Sequence, residues 1–200
     1  ITKLTKEFKI PISVDTYKPA VASVVLKEGA SIINDISALG AGVKMANIVS
    51  KYKAGIVLMH MNGTPETMQN KPVYKDVCME VLSFLSSRIS IAENAGIDSS
   101  RIAIDPGIGF GKTLNHNLDL IANLGQLRKM DKKILLGVSR KSFTGKILNL
   151  EPEDRLEASI AAGVLGVVNG ANILRVHDVG PTVRAIRVAE AIMKESQEND

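Results

Sequence analysis

Six short runs rich in Ile and Val, separated by stretches of helical periodicity, constrain this chain more than any other feature. They fall at 10–15 (IPISVD), 31–35 (SIIND), 55–60 (GIVLMH), 101–105 (RIAID), 133–138 (KILLGV) and 171–176 (ANILRV). Short apolar runs of this kind suit strands buried on both faces, as in a parallel sheet. Helical patterns are read over 19–29, 76–96, 114–130, 153–170 and 181–195, with Pro181 at a first helical position. Strand–helix alternation implies βαβ units. Two α/β architectures satisfy it: an open doubly wound sheet, or a (β/α)8 barrel, of which six units would be present.

Two hundred residues with 45% hydrophobic and 23% charged content suit a single globular domain spanning 1–200. The longest apolar runs are too short to cross a bilayer, and the N-terminus lacks the apolar core of a signal peptide. One cysteine, Cys78, leaves no internal disulfide and fits a reducing, cytoplasmic setting. A net charge of +4 is spread without a basic block, and Trp is absent. No membrane or nucleic-acid partner is therefore expected. The chain opens on ITKLTKEFKIP without Met, which reads as part of a longer chain.

In both architectures chemistry collects at the C-terminal ends of the strands. Those ends carry Asp15-Thr16, Asn34-Asp35, Met59-His60-Met61, Asp105, Ser139-Arg140-Lys141-Ser142, and Arg175, His177 and Asp178. The opposite ends show Lys9, Ala30, Lys53, Ser100, Lys132 and Gly170, with no comparable set. A strand-end Asp often only caps the next helix. Six polar ends together point instead to a convergent site.

The stretch DPGIGFGKT at 105–113 looks like a phosphate loop, but its spacing fails. A Walker loop needs Gly five residues before Gly111, where Pro106 stands, and Gly107, Gly109 and Gly111 do not make G-x-G-x-x-G. Pro106 instead pushes Asp105 toward an extended conformation. The glycines allow a tight bend and close approach to a flat ligand, and Phe110 offers an aromatic face. A carboxylate so placed accepts paired N–H donors of a planar heterocycle. The alternative is a βα turn without a ligand.

The motifs VDTYK, INDIS, LMHMNGTPETMQ, DPGIGFGKT, GVSRKSFTG and LRVHDV follow one another at six consecutive strand ends. In that order they closely resemble the dihydropteroate synthases of the pterin-binding TIM-barrel superfamily. The resemblance implies a (β/α)8-type barrel whose first two strands lie outside this sequence. It implies condensation of 6-hydroxymethyl-7,8-dihydropterin diphosphate with 4-aminobenzoate, giving 7,8-dihydropteroate and pyrophosphate. By family role, Asp15, Asn34, Ile36, Met59, Asp105, Gly109, Phe110 and Lys141 bind the pterin. Arg175 and His177 hold the diphosphate, and Lys141 and Ser142 border the aminobenzoate. Lys141, Arg175 and His177 are the catalytic candidates. Mg²⁺ is the implied cofactor, but the family's Mg-linked Asn lies in the missing part, so no metal ligand is expected among these residues.

The same resemblance implies a homodimer formed through late outer helices, and no synthase activity for residues 1–200 alone. Two rivals share the barrel: a methyltetrahydrofolate-dependent corrinoid methyltransferase, and a non-catalytic remnant that binds pterin or only a partner chain. Among the remaining polar residues, His60 reads as a hydrogen-bonded strand-end histidine and His116 as a helix-surface residue. Lys112 reads as lying on the outer side of its loop, Cys78 as core, and EPEDRLEAS as a solvated helix start. The three histidines lack zinc-ligand spacing.

Overall fold

The computed structural model describes residues 1–64, 66–68, 70 and 72–198; Pro65 and Gln69 of the third motif lie outside them. The described chain forms two compact units. The first comprises Ile1–Met61, Met79–Gly107 and Met130–Lys133; the second comprises Asn62–Cys78, Ile108–Lys129 and Ile134–Asp200.

The first unit is built on four parallel strands, β1 (Ser13–Asp15), β2 (Ile32–Asp35), β3 (Gly55–Met59) and β4 (Ile102–Asp105), each paired with the next. Ile33 stands opposite Ile56, and Leu58 opposite Ile104. From Ile56 to Met59 every β3 residue is at most 3% exposed, which explains why its sequence is apolar without alternation. Each such side chain contributes about 1.5–3 kcal/mol on burial. β1 departs from the double-buried expectation: it is the edge of this ladder, and Ser13 and Asp15 are exposed.

The helices α2 (Pro19–Lys27), α3 (Val43–Lys51) and α4 (Val77–Asn94) follow β1, β2 and β3. α4 buries Val81, Leu85, Ile89 and Ala92 along one stripe, the periodicity read from its sequence. Cys78 near its start is buried as expected, and its thiol is pushed up to about 11 by burial and by Asp119 and Asp76. Two helices were not legible in the pattern. One is α3, which buries Met45, Ala46 and Val49. The other is α1 (Thr2–Glu7), held by a Thr2 hydroxyl donating to Glu28 at 2.6 Å rather than by any buried residue.

The second unit carries α5 (Leu114–Ala122), α6 (Ser142–Leu148), α7 (Leu156–Val168) and α8 (Val179–Glu198), with residues of β5 (Lys133–Leu136) paired to β6 (Ile173–Leu174) in parallel. Several boundaries correct the sequence reading. The pattern over 114–130 is α5 followed by a 3-10 turn, because the Asn123 amide donates to the Asp119 carbonyl at 3.1 Å and ends the helix. The pattern over 153–170 begins only at Leu156, since Arg155 turns away to bind loop carbonyls. α8 starts at Val179, so Pro181 is its third residue; the first turn needs no N–H there, so proline is tolerated. α6 itself was not read as a helix. None of the described helices is long and apolar enough to cross a membrane.

Candidate active site

In the first unit the strand ends gather acceptors. The parallel register sets Asp15 opposite Asn34 and Met59 opposite Asp105. The Asn34 amide donates to Asp15 Oδ1 at 2.9 Å, which fixes the orientation of the amide. Asn34 is 5% exposed, and among the described residues its Oδ1 accepts no hydrogen bond. A buried carbonyl oxygen without a donor is costly, so the position calls for an N–H from a ligand.

Asp35, the neighbouring strand-end carboxylate, is spoken for. It accepts from the Ser37 N–H at 2.9 Å, the Ser37 hydroxyl at 2.7 Å and the Leu39 N–H at 2.9 Å. These bonds hold a turn in which Ala38 and Leu39 are left-handed, and on which the half-buried Ile36 rides. Asp105 is buried, and its Oδ1 accepts from the Gly107 N–H at 2.7 Å. One oxygen of the expected two-acceptor platform is therefore engaged by its own loop, though each carboxylate oxygen has a second lone pair. Met59 is buried beside it in the ladder. His60 is buried too, its ring edge-on to Phe84 at 4.9 Å.

The second unit holds the rest of the glycine stretch. Gly109 donates to Asn117 Oδ1 at 2.7 Å. Gly111 has φ +63°, and a Cβ there would stand 2.5 Å from the Asn62 carbonyl oxygen; Tyr74 donates to its carbonyl at 2.8 Å. Lys112 corrects its expectation: it is 4% exposed and turns inward to donate to the Phe110 carbonyl at 3.0 Å. Lys141 donates to the Ile108 carbonyl, lays its chain along Gly109, and holds its ammonium 4.6 Å from the Phe110 ring centroid. What closely approaches Gly109 is thus the Lys141 stem. A phosphate cradle presents N–H groups; here two lysines occupy loop carbonyls, which agrees with the failed spacing. His116 is half-buried rather than on the surface. It completes a capping box with Thr113, accepting the Thr113 N–H on Nδ1 at 3.2 Å, and meets the Tyr74 ring edge-on.

The strand ends of the second unit gather cations. β5 and β6 pair Leu135 with Ile173 and Leu136 with Leu174, an offset of 38 residues. Arg175 N–H then donates to the Leu136 carbonyl at 3.0 Å. Beyond that the same offset is carried by side chains. Ser139 Oγ accepts the His177 N–H at 3.2 Å and pairs with His177 Nδ1 at 3.0 Å. Arg140 donates twice to Asp178, at 2.9 and 2.8 Å. A Cβ on Gly137 would be 4.0 Å from both Arg175 Cβ and Lys141 Nζ, so this glycine leaves room for both side chains. Arg175 and His177 are exposed, as is Ser142, the first residue of α6.

Four residues of this framework had no assigned role in the sequence. Arg140 has φ +56°. Its N–H donates to Ser159 Oγ at 2.8 Å, and its carbonyl accepts from Arg155 Nη1 at 3.1 Å. Arg155 also grips the Leu150 carbonyl at 2.9 and 2.7 Å, so it acts as a clamp, while Glu151, Glu153 and Glu157 of the same stretch are solvated as expected. The guanidinium of Arg140 holds the Asp178 carboxyl below the usual carboxylate range, first by hydrogen bonding and then by charge, and Arg140 is raised in return. The one available signal was the polar strand-end position of Arg140 and Asp178.

The two sets differ in chemistry. Acceptors in the first unit suit a ligand rich in N–H donors, and cations in the second suit an anion. Among the described residues, no group of three His, Cys, Asp or Glu side chains gathers to hold a metal ion.

Comparison with known proteins agrees in kind. The family model described as pterin binding enzyme matches residues 1–177. Dihydropteroate synthase of Escherichia coli is 42% identical over 193 residues, covering 96% of this chain and 68% of the relative. The Yersinia pestis dihydropteroate synthase, solved with a sulfonamide drug complex, superposes with a TM-score of 0.94 at 38% identity, covering 97% of this chain and 70% of that one. The Xanthomonas albilineans enzyme in complex with 7,8-dihydropteroate gives 0.89 at 41% identity, covering 96% and 70%.

Proposed function

The chain belongs to the family of pterin-binding enzymes, among the dihydropteroate synthases, and from that membership we infer how its residues divide the reaction. It is a transferase of folate biosynthesis that condenses 6-hydroxymethyl-7,8-dihydropterin diphosphate with 4-aminobenzoate. The amine nitrogen bonds to the pterin methylene, the methylene–oxygen bond breaks, and pyrophosphate leaves with the electron pair. The amine then gives up its proton, yielding 7,8-dihydropteroate.

In this reading Asp15, Asn34 and Asp105 receive the N–H groups of the pterin, with Ile36 and Met59 as apolar contacts. By the same family reading Gly109, Phe110 and Lys141 also have pterin-binding roles. Lys141 and Ser142 border the aminobenzoate. Arg175 and His177 bind the diphosphate and stabilise the charge that develops as it leaves. An aromatic amine is a usable nucleophile without a strong base, so positioning and leaving-group stabilisation supply the rate. The observation that carries the reading is Asn34 Oδ1, buried, oriented by Asp15 and lacking a donor.

Mg²⁺ would enter with the diphosphate and neutralise its charge. Among the described residues no group of three His, Cys, Asp or Glu side chains gathers to hold it. The reading extends to a single (β/α)8 barrel domain in a cytoplasmic homodimer. Exposed Leu165 and Val168 on α7, with Val183, Val188 and Ile192 on α8, support the dimer as apolar surface that a second copy would cover.

The test is incorporation of labelled 4-aminobenzoate into dihydropteroate by the protein expressed from its complete gene. Turnover that needs the pterin diphosphate is expected. Tight dihydropterin binding without turnover would instead favour a binding remnant.

A further inference from the structure

We propose that Arg140 and Asp178 are positioning residues, whose ion pair holds Lys141 and His177 in their working places. The inference rests on the assignment of diphosphate to Arg175 and His177 above.

The backbone ladder between β5 and β6 is short. Its last bonds hold Leu136 against Leu174 and Arg175. The two chains then run on as turns, and turns without ladder bonds drift apart unless side chains hold them. Here two consecutive side-chain pairs keep the register: Ser139 with His177, then Arg140 with Asp178. The second pair is a two-point fork, the geometry that fixes direction as well as distance. Lys141 follows Arg140 directly, and His177 precedes Asp178 directly, so one ion pair sets both.

Arg140 is tied down at three points: Nε and Nη2 bind Asp178, its N–H goes to Ser159 and its carbonyl accepts from Arg155. Those bonds hold a left-handed backbone that a non-glycine residue adopts only when its surroundings impose it. Asp178 gives one carboxylate oxygen to each guanidinium bond, which leaves it poorly placed to serve as a base. Both residues therefore act through their neighbours.

The test uses Asp178→Asn and Arg140→Lys in the protein from its complete gene. Arg140→Lys keeps the charge but loses the fork. Calorimetry with inorganic pyrophosphate and with 7,8-dihydropterin, and hydrogen exchange across 137–142 and 175–179, are the readouts. Pyrophosphate affinity should fall about tenfold through His177, and dihydropterin affinity should fall with it through Lys141. Exchange should accelerate in both turns. The double variant should lose no more than the worse single one, because the two residues act as a unit. Unchanged exchange in the folded variants, unchanged affinity for either ligand, or additive losses would each overturn the proposal. A wild-type protein that binds neither ligand would remove the functional reading instead, and the exchange result would still decide whether the pair fixes the turns.

Discussion

Asn34 and Asp15 stand directly opposite each other in a parallel register, and the amide N–H of the first lies 2.9 Å from the carboxylate of the second. The bond turns the amide so that its oxygen is the group left buried and without a donor. A residue that would otherwise be a poor choice for a strand interior becomes a preset acceptor.

Replacing Asn34 by Ala removes that acceptor. Loss of one buried hydrogen bond is worth about 0.5–1.5 kcal/mol, and more if a donor is stranded. Dihydropterin affinity should fall roughly threefold to thirtyfold by calorimetry. Affinity equal to wild type would show that Asn34 Oδ1 does not face the ligand.

Arg175→Ala separates the two chemistries. Hydrogen bonds to charged groups are worth about 1.5–3 kcal/mol, so pyrophosphate affinity should drop on the order of tenfold to a hundredfold. Free dihydropterin should bind as before. Equal loss of both ligands would contradict the division of roles.

Gly111→Ala tests the loop rather than the ligand. The new Cβ meets the Asn62 carbonyl oxygen at 2.5 Å in a backbone of φ +63°. Left-handed strain alone costs about 1–2 kcal/mol at such a position. In urea titrations Gly111→Ala should cost about 1–3 kcal/mol more than that. A cost no larger than the strain would mean that Asn62 yields freely.

Cys78 gives a prediction with a definite sign. Its folded-state thiol is raised from 9.0 to about 11, so the folded protein keeps the proton that the unfolded chain gives up first. Its stabilising contribution is complete below pH 9 and is lost as pH rises toward 11. Alkylation of the native protein should be slow at neutral pH and should accelerate across that window. Cys78→Ala should remove that share of the alkaline decline. Rapid labelling at neutral pH would show that the thiol is neither buried nor raised.

Much of the architecture was legible because strands buried on both faces must be apolar and helices that bury a stripe must be periodic. All six strands lie where the Ile and Val runs placed them, although β1 and β6 shrink to three and two residues. The helices that escaped notice were α1, α3 and α6, of six, nine and seven residues. In α6 the sequence SFTGKIL is interrupted by Gly145, which discourages a helical reading. That glycine is there because the Arg155 guanidinium packs where its Cβ would be, a reason written in a residue ten positions away.

The same division runs through the site. The order of residue types at the strand ends, acceptors from Asp15 to Asp105 and cations from Lys141 to His177, was set by sequence alone, because within each parallel ladder the strands present their C-terminal ends to one side. Which polar groups are spent on the fold and which remain for a ligand was decided only in three dimensions. Asp35 and Asn34 are adjacent and equally buried, yet Asp35 is consumed by a turn while Asn34 keeps an acceptor open. Lys112 and Lys141 both turn to loop carbonyls, and Arg140 sits left-handed among three partners, Asp178, Ser159 and Arg155. Such commitments depend on distances between residues far apart in the chain, and no local pattern encodes them.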